Sequence, residues 1–229
     1  MHPLDRPVWA SLDGAHRTLS EGDDRARRCA RDVNLFASAL DDSEAALAAL
    51  AELVRPGEQV FVLQVPPIVV PRGLVAVKRA RGVQMVATRS LAHEPVPAGL
   101  AVLGDADAAD MLHLARLTEP GPFLPRTHTM GRFVGVREGT RLAGMAGERF
   151  RPPGCTEVSG VCTHPDCRGR GLARGLSAAV AARIQQRGEL PFLHAWQTNV
   201  AAIRLYESLG FVTRTLVDVA VLERPPVGA

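Results

Sequence analysis

The sequence EVSGVCTHPDCRGRGLA occupies positions 157–173 and continues into an apolar repeat that ends near Arg187. Its first part is an apolar run, which predicts a strand, and Pro165 marks a turn after it. From Leu172 onward, apolar residues recur every four positions, and Gly188 follows where a C-terminal glycine would end a helix. The segment is therefore predicted to fold as strand, glycine-bearing turn and helix.

The turn between the predicted strand and helix has the composition of an anion-binding site. A helix start leaves several backbone N–H groups without intrahelical partners, and these groups attract anions. Gly169 and Gly171 let the backbone approach a diphosphate because they carry no Cβ atom, while Arg168 and Arg170 add charged donors. The turn is therefore predicted to bind a phosphate-containing ligand.

Two common phosphate-binding motifs do not fit this turn. A P-loop requires Lys followed by Ser or Thr after its second glycine, whereas Gly171 is followed by Leu172 and Ala173. A dinucleotide fingerprint that starts at Gly169 would require glycine at the position of Arg174. The pattern therefore argues against nucleotide hydrolysis and against dinucleotide binding.

The same turn resembles the coenzyme A loop of the GNAT (GCN5-related N-acetyltransferase) superfamily, with its bacterial FR47-like members. The family pattern is Gln or Arg, two residues, Gly, one residue, then Gly or Ala, and Arg168, Gly171 and Ala173 fill it. Downstream, the sequence NVAAIRLYESLGF at 199–211 is similar to the closing segment of that fold. The resemblance extends from Leu100 onward, and two motifs at the expected separation are more specific than either alone.

The resemblance implies a fold class of the α/β (α+β) type, with a mixed, mainly antiparallel twisted sheet flanked by helices. Residues 96–229 are expected to form the acetyltransferase domain, after a boundary at the Pro- and Gly-containing segment 91–99. Residues 1–95 are expected to form an N-terminal α/β region. Its order of elements is reminiscent of a degenerate GNAT-like half without a coenzyme loop, and the alternative is a lid or dimerisation arm.

The remaining elements are predicted from apolar periodicity and turn residues. In the N-terminal region they are a helix starting near Trp9, a strand at 33–40, a helix carrying Leu47, Leu50 and Val54, and strands at 59–65, 74–77 and 83–87. In the C-terminal region they are a strand at 100–103, a helix over 108–115, a hairpin over 133–146, a strand at 192–196, a helix over 199–209 and one or two strands over 211–221. The resemblance implies that the proline-rich loop 118–125 shapes the acceptor pocket.

The resemblance also implies acetyl-CoA as co-substrate and assigns its contacts. Backbone groups of Val161 and Thr163 are expected to pair with the pantetheine arm like an added strand. Asn199 is expected to bond the pantetheine amide region, and its simpler role is that of a helix N-cap. The residues expected to bind the coenzyme are Val161, Cys162, Thr163, Arg168, Gly169, Arg170, Gly171, Leu172, Ala173, Asn199 and Tyr206.

Tyr206, the only tyrosine of the chain, is the first candidate catalytic residue. In the family, the matching hydroxyl points at the coenzyme sulfur and donates a proton to the departing thiolate. A phenol with a pKa of about 10 stays protonated at neutral pH and suits a leaving thiol with a pKa near 8.5. The alternative is a core tyrosine that packs on Leu176.

Glu157 is the second candidate catalytic residue. It stands eleven residues before Arg168, the offset at which some family members keep a glutamate as general base. Such a carboxylate is expected to be partly buried with a raised pKa, so that it can take the proton of the amine. The alternative is a strand-end glutamate that is exposed or paired with an arginine. His164 and His194 are assigned no role.

The composition limits the other function classes. The net charge is +3 and aromatic residues make up 4% of the chain, and the basic clusters lack interleaved aromatics, so no nucleic-acid partner is expected. No apolar run approaches the roughly 18 residues of a membrane span, and the start MHPLDRP lacks a secretory pattern, so a cytoplasmic protein without a membrane partner is expected. Cys162, His164 and Cys167 are too few for a zinc site, so no metal is expected and the cysteines are expected to be reduced.

Together these features predict an N-acetyltransferase that moves an acetyl group from acetyl-CoA to a primary amine of a small molecule or peptide. The amine is expected to attack directly in a ternary complex. Two alternatives remain open: a coenzyme A-binding regulatory module without turnover, and an acyltransferase that uses a longer acyl-CoA. A homodimer that pairs through the final strands is a further expectation.

Overall fold

The computed structural model describes residues 2–65 and 67–226, which form five α-helices and eleven strands. The helices are α1 (Pro7–Leu12), α2 (Glu44–Glu52), α3 (Ala108–Thr118), α4 (Leu172–Gln186) and α5 (Val200–Ser208). The strands are β1 (Ser20–Gly22), β2 (Ala26–Cys29), β3 (Ala37–Ala39), β4 (Gln59–Gln64), β5 (Val75–Ala87), β6 (Ala101–Leu103), β7 (Phe133–Glu138), β8 (Arg141–Glu148), β9 (Cys155–Thr163), β10 (Leu190–Trp196) and β11 (Phe211–Glu223).

The main sheet has eight strands in the order β4-β11-β5-β10-β9-β8-β7-β6. All neighbouring strands are antiparallel except β9 and β10, which are parallel. Strands β1, β2 and β3 form a separate small sheet. The predicted fold class, a mixed and mainly antiparallel sheet flanked by helices, is confirmed.

The N-terminal region supplies two strands of this sheet. Strand β5 lies between β10 and β11, and β4 forms the edge beside β11. The strands predicted at 74–77 and 83–87 are in fact one strand of 13 residues, because β11 pairs with β5 across the polar residues between them. The division of the chain at residues 95 and 96 remains a prediction, and the sheet contains strands from both sides of it.

The small sheet was only partly predicted. The strand expected at 33–40 is reduced to β3, and β2 was not predicted at all. Strand β2 contains Arg27 and Arg28, which are both buried, and these side chains are held by Asp13 and Glu58. Buried arginines do not produce the apolar alternation that predicts a strand, because their burial depends on distant carboxylates.

Helix α4 follows from its local sequence. It begins after Gly171, whose backbone has a φ of 75°, a left-handed conformation that glycine adopts without steric cost. Leu176, Val180 and Ile184 lie on its buried face, and Gly188, with a φ of 74°, follows its end. The predicted strand–turn–helix unit is confirmed.

Strands β9 and β10 pair only over a short distance and then diverge. Their paired residues are Cys155–Glu157 on β9 and Leu190–Phe192 on β10. Beyond this point, β9 stays paired with β8 on its other edge, and β10 stays paired with β5. Residues 158–163 of β9 therefore face a gap in the sheet, and the edge of β9 along this gap has no strand partner.

The two faces of the sheet carry different layers. Successive residues of a strand point to opposite faces, and on β10 Phe192 and Leu193 pack into different core clusters. Phe192 packs with Leu4, Val8 and other residues of the N-terminal segment. Leu193 packs with the buried residues of α4 and with Tyr206 of α5. The gap between β9 and β10 therefore lies between a helical layer and the N-terminal segment.

Among the helices of the described residues, none combines the length and the apolar character that crossing a lipid bilayer requires.

Candidate active site

A cleft of about 730 Å³ occupies the gap between β9 and β10. Residues 158–163 of β9 and 194–196 of β10 line it. On one face of the sheet, the walls come from the starts of α4 and α5, and on the other they include Phe36 and Leu63 from the N-terminal region. The cleft therefore joins the two faces of the sheet, and its volume is in the range of small-molecule sites.

The start of α4 forms one end of the cleft. Gly169 and Gly171 have φ angles of 77° and 75°, and an added Cβ at either position would meet no atom within 4 Å. Gly171 offers no side-chain cap to the helix, so the N–H groups of its first turn are available to a ligand. Leu172 and Ala173 line the cleft beside them. This end has the free backbone donors and the open space that a diphosphate needs.

The three arginines near this turn differ in their surroundings. Arg168 lines the cleft, and its guanidinium makes no hydrogen bond or ion pair to any of the described residues, while its backbone N–H donates to the carbonyl of Pro165. Arg174 also lines the cleft, and its guanidinium contacts Glu94 at 2.8 Å. Arg170 instead forms an ion pair with Glu138 and lies outside the cleft lining. Arg174 was missed in the sequence because it does not belong to the loop pattern.

The end of β9 presents its backbone to the cleft. Val161, Cys162 and Thr163 all line it. The register of β9 against β8 shifts between Met145 and Gly147, opposite residues 159–162, so the strand is irregular where it faces the gap. The hydroxyl of Thr163 is buried and has no hydrogen-bond partner among the described residues. A ligand that extends along β9 would satisfy such groups.

Tyr206 lies on α5 at the wall of the cleft. Its side chain packs against Phe211, and its hydroxyl makes no hydrogen bond to a described residue. Burial raises the pKa of Tyr206 to about 12, with smaller contributions from the neighbouring Cys162 and Glu157. The phenol is therefore fully protonated at neutral pH and can donate a hydrogen bond to a group in the cleft, although the raised pKa makes it a weaker acid than a free tyrosine.

Asn199 caps α5 and also lines the cleft. Its side-chain oxygen accepts a hydrogen bond from the backbone N–H of Ala202 at 3.1 Å. The simpler prediction for this residue, a helix N-cap, is confirmed. Because the oxygen is used by the cap, the amide N–H₂ group is the part of the side chain that remains for a ligand.

Glu157 lies beneath the cleft and is fully buried. Its carboxylate accepts two hydrogen bonds of 2.8 Å from Arg149, one from Nε and one from Nη2, and a third of 2.7 Å from Nδ1 of His194. Burial by itself would raise the pKa of this carboxyl, but Arg149 and His194 outweigh it and lower the pKa to about 2. The predicted raised pKa is therefore wrong, because two basic partners from other strands stabilise the charged form.

His194 is a residue of the cleft wall that the sequence did not single out. Its Nδ1 contacts Glu157, and its Nε2 lies 3.1 Å from the amide nitrogen of Gln84. Gln84 cannot be flipped, since Arg214 donates to its oxygen and its nitrogen donates to the carbonyl of Leu4. Nε2 must therefore accept, which fixes a neutral ring with its hydrogen on Nδ1. His194 lies on β10 two residues after Phe192, the last residue that pairs with β9, and the sequence carries no signal of this pairing.

The four cysteines are free thiols, and all are buried. Cys162 and Cys167 line the cleft, and burial raises the pKa of Cys162 to about 11. Within residues 2–65 and 67–226, no group of three or more Asp, Glu, His or Cys side chains is arranged to hold a metal ion.

The split sheet and its cleft define an α/β protein in which two neighbouring central strands separate and open a cleft through the sheet. The family model described as FR47-like protein matches residues 133–218. A solved GNAT-family structure from Novosphingobium aromaticivorans DSM 12444 is 41% identical, with a TM-score of 0.90 over 98% of this chain and 99% of that one. The chain therefore belongs to the GNAT family.

Two other proteins are similar to this chain, one in its fold and one over part of its sequence. A GCN5-related N-acetyltransferase from Kribbella flavida has the same fold, with 17% identity and a TM-score of 0.65 over 97% of this chain and 96% of that one. The mycothiol acetyltransferase of Thermomonospora curvata is 40% identical over 98 residues, which are 42% of this chain and 32% of that protein. The chain thus spans about a third of the length of this curated relative.

Proposed function

We propose that the chain is an N-acetyltransferase that transfers an acetyl group from acetyl-CoA to a primary amine, by direct attack in a ternary complex. The main support for this proposal is a single cleft that passes through the sheet. It joins the open start of α4 on one face of the sheet to the polar side chains of Arg149 and His194 near the other face. Tyr206 lines the same cleft. Two substrates can therefore meet between a phosphate site and a basic group.

The residues at the α4 end fit coenzyme A. The N–H groups after Gly171 and the unpaired Arg168 would hold the diphosphate, and the open edge of β9 at Val161 and Thr163 would hold the pantetheine arm. The buried Thr163 hydroxyl, which has no partner among the described residues, supports this assignment. When bound, acetyl-CoA supplies an acetyl thioester whose carbon is attacked by the amine and whose sulfur leaves as a thiolate.

Two proton transfers accompany this reaction, and each has a group in the cleft. His194 would take the proton from the amine at Nε2 once the 3.1 Å hydrogen bond from Gln84 is broken, and Glu157 would stabilise the resulting imidazolium through Nδ1. Glu157 thereby acts as a positioning residue rather than as the base itself, since its own pKa is about 2. Tyr206 donates its proton to the departing thiolate.

Calorimetry with acetyl-CoA tests the coenzyme assignment, with 3′-dephospho-coenzyme A and ATP as controls. Micromolar binding of acetyl-CoA and weaker binding of ATP are expected, followed by thiol release when an amine is added. Binding without release for any amine would favour the alternative of a regulatory module. Absence of acetyl-CoA binding would refute the proposal.

The acceptor cannot be taken from the curated relatives. They are named mycothiol acetyltransferases, and the matched regions cover 32% of one and 21% of another. Their acceptor-binding parts can therefore lie outside the shared region. The acceptor of this chain has to be inferred from the walls of its own cleft.

A further inference from the structure

The end of the cleft opposite α4 is built largely by the N-terminal region. Phe36, Phe61 and Leu63 line it, together with Val217 and Val219 of β11. Leu63 pairs with Val219 in the register of β4 and β11, and Phe61 lies two residues earlier on the same face. These side chains form one apolar wall, the apolar end of the cleft.

Phe36 closes this wall toward the centre of the cleft. Its ring lies 5.8 Å from that of Phe61 and 5.1 Å from that of Phe150, at angles of 59° and 87°. The guanidinium of Arg149 lies over Phe36 and Phe150, with its carbon 4.8 and 4.7 Å from the ring centroids. Aromatic rings held in this way form a rigid surface on which a flat apolar group can pack.

The charges around the apolar end favour a cationic ligand. Arg149 is paired through Nε and Nη2 with the buried Glu157, which offsets its charge and leaves only Nη1 for a carboxylate on a ligand. Among the described residues, Glu119 supplies the one carboxylate side chain that lines the cleft. It is exposed, follows α3 and has no hydrogen-bond partner for its carboxylate among those residues. Its negative charge attracts an ammonium group.

We infer that the apolar end binds the acceptor, and that the acceptor is a small primary amine on an apolar or aromatic body without a carboxylate. This inference rests on the proposed function and adds the substrate class to it. A long acyl chain could also fill an apolar wall, but it would leave Glu119 and His194 without a polar ligand group. The body of an amine packs on the wall, and its nitrogen can contact Glu119 and His194, while Arg149, which only donates hydrogen bonds, stays paired with Glu157.

The test is a comparison of matched amines in a thiol-release assay. 2-Phenylethylamine is compared with ethylamine, which lacks the ring, and with phenylalanine, which adds a carboxylate. The expected kcat/KM for 2-phenylethylamine is at least ~10-fold above that for either compound, since a buried ring contributes substantially to binding. Equal values for all three amines would overturn the inference and leave the proposed function intact.

Two substitutions locate the effect in the chain. Phe61→Ala should lower kcat/KM for 2-phenylethylamine by ~10-fold and leave ethylamine almost unchanged, while Phe61→Leu should retain most of the activity. Glu119→Gln should raise KM for the amine by about threefold without changing acetyl-CoA affinity, as expected for one exposed charge. Glu207→Gln, an exposed carboxylate on α5 outside the cleft lining, is the control. A Phe61→Ala protein that handles all amines like the wild type would overturn the inference.

Binding measurements separate the failure of the inference from the failure of the function. If no amine is turned over, binding of 2-phenylethylamine to the coenzyme A-saturated protein is measured by calorimetry. Binding that is lost in the Phe61→Ala variant supports the inference, and absence of binding to the wild type overturns it. A chain-length series from acetyl-CoA to hexanoyl-CoA tests the acyl alternative. If longer chains lower KM and Phe61→Ala abolishes this trend, the apolar end holds the acyl group and the inference is wrong.

Discussion

Glu157→Gln is expected to destabilise the fold, because the carboxylate accepts the hydrogen bonds of two basic side chains, Arg149 and His194, beneath the cleft. Its pKa is about 2, against an ordinary value of 4.5, and at 1.36 kcal/mol per pH unit this corresponds to roughly 3 kcal/mol in favour of the folded, ionised state. The side chain is only 1% exposed, so solvent does not screen the interaction. The folded pKa lies below the unfolded one, so this stabilisation is present above pH 4.5 and is lost as the pH falls through 2.

Urea unfolding at pH 7 and pH 3 measures this effect. Between pH 7 and pH 3, the free energy of unfolding of the wild type should fall by about 2 kcal/mol because of this carboxyl group. The Glu157→Gln variant should not show this decrease. At pH 7 the variant should be less stable by about 3–5 kcal/mol, because Arg149 is left buried without its partner. Replacing Arg149 and Glu157 together by methionine should recover most of the loss, and Glu207→Gln should have almost no effect. A variant within about 1 kcal/mol of the wild type at pH 7 would refute the reasoning.

Three further substitutions test the catalytic assignments. Tyr206→Phe should lower kcat by ~10²-fold or more with little change in acetyl-CoA affinity, measured by steady-state kinetics and calorimetry; equal turnover would remove the residue from catalysis. Gly171→Val should weaken acetyl-CoA binding by ~10-fold or more. The control is Gly188→Val at the other end of α4, where φ is 74°; it should lower the stability by a similar amount and leave acetyl-CoA binding unchanged. His194→Gln should lower kcat/KM by ~10²-fold with little change in acetyl-CoA affinity, because no imidazole remains to take the proton of the amine; an unchanged kcat/KM would contradict the role of His194 as base.

The backbone geometry of the glycine-bearing turn before α4 could be predicted because it is local. The residues from Arg168 to Ala173 are adjacent in sequence, and glycine at positions that need a left-handed backbone is visible without any structure. The same holds for α5, where Asn199 caps the helix three residues before its bonded N–H. Local backbone requirements of this kind leave a signature in the sequence.

The centre of the site could not be predicted because its partners are distant in the chain. Glu157 was identified by position, but its environment depends on Arg149, which follows β8, and on His194 from β10. The tautomer of His194 depends in turn on Gln84 of β5, which is 110 residues away. The predicted pKa shift of Glu157 therefore had the wrong sign, since the direction depends on which charges the fold brings close.

The apolar end of the cleft was hidden for a similar reason. In the sequence, Phe36 and Phe61 have the pattern of ordinary core residues of an N-terminal region. Nothing in that pattern indicates that they line the cleft. They do so because β4 pairs with β11, which follows α5 near the end of the chain. Strand pairing across such a separation is decided by the packing of the whole sheet.

The position of β5 between β10 and β11 has a consequence for how the chain is made. During synthesis, β5 leaves the ribosome more than a hundred residues before β10 and β11, the two strands that flank it. Until then, both of its edges lack their native partners, and an open strand edge invites pairing with other chains. Strands β10 and β11, which follow the other strands of the main sheet in the described residues, occupy the interior of the sheet rather than its border. Because β5 pairs with β10 on one edge and with β11 on the other, the N-terminal region and these later strands complete one sheet together.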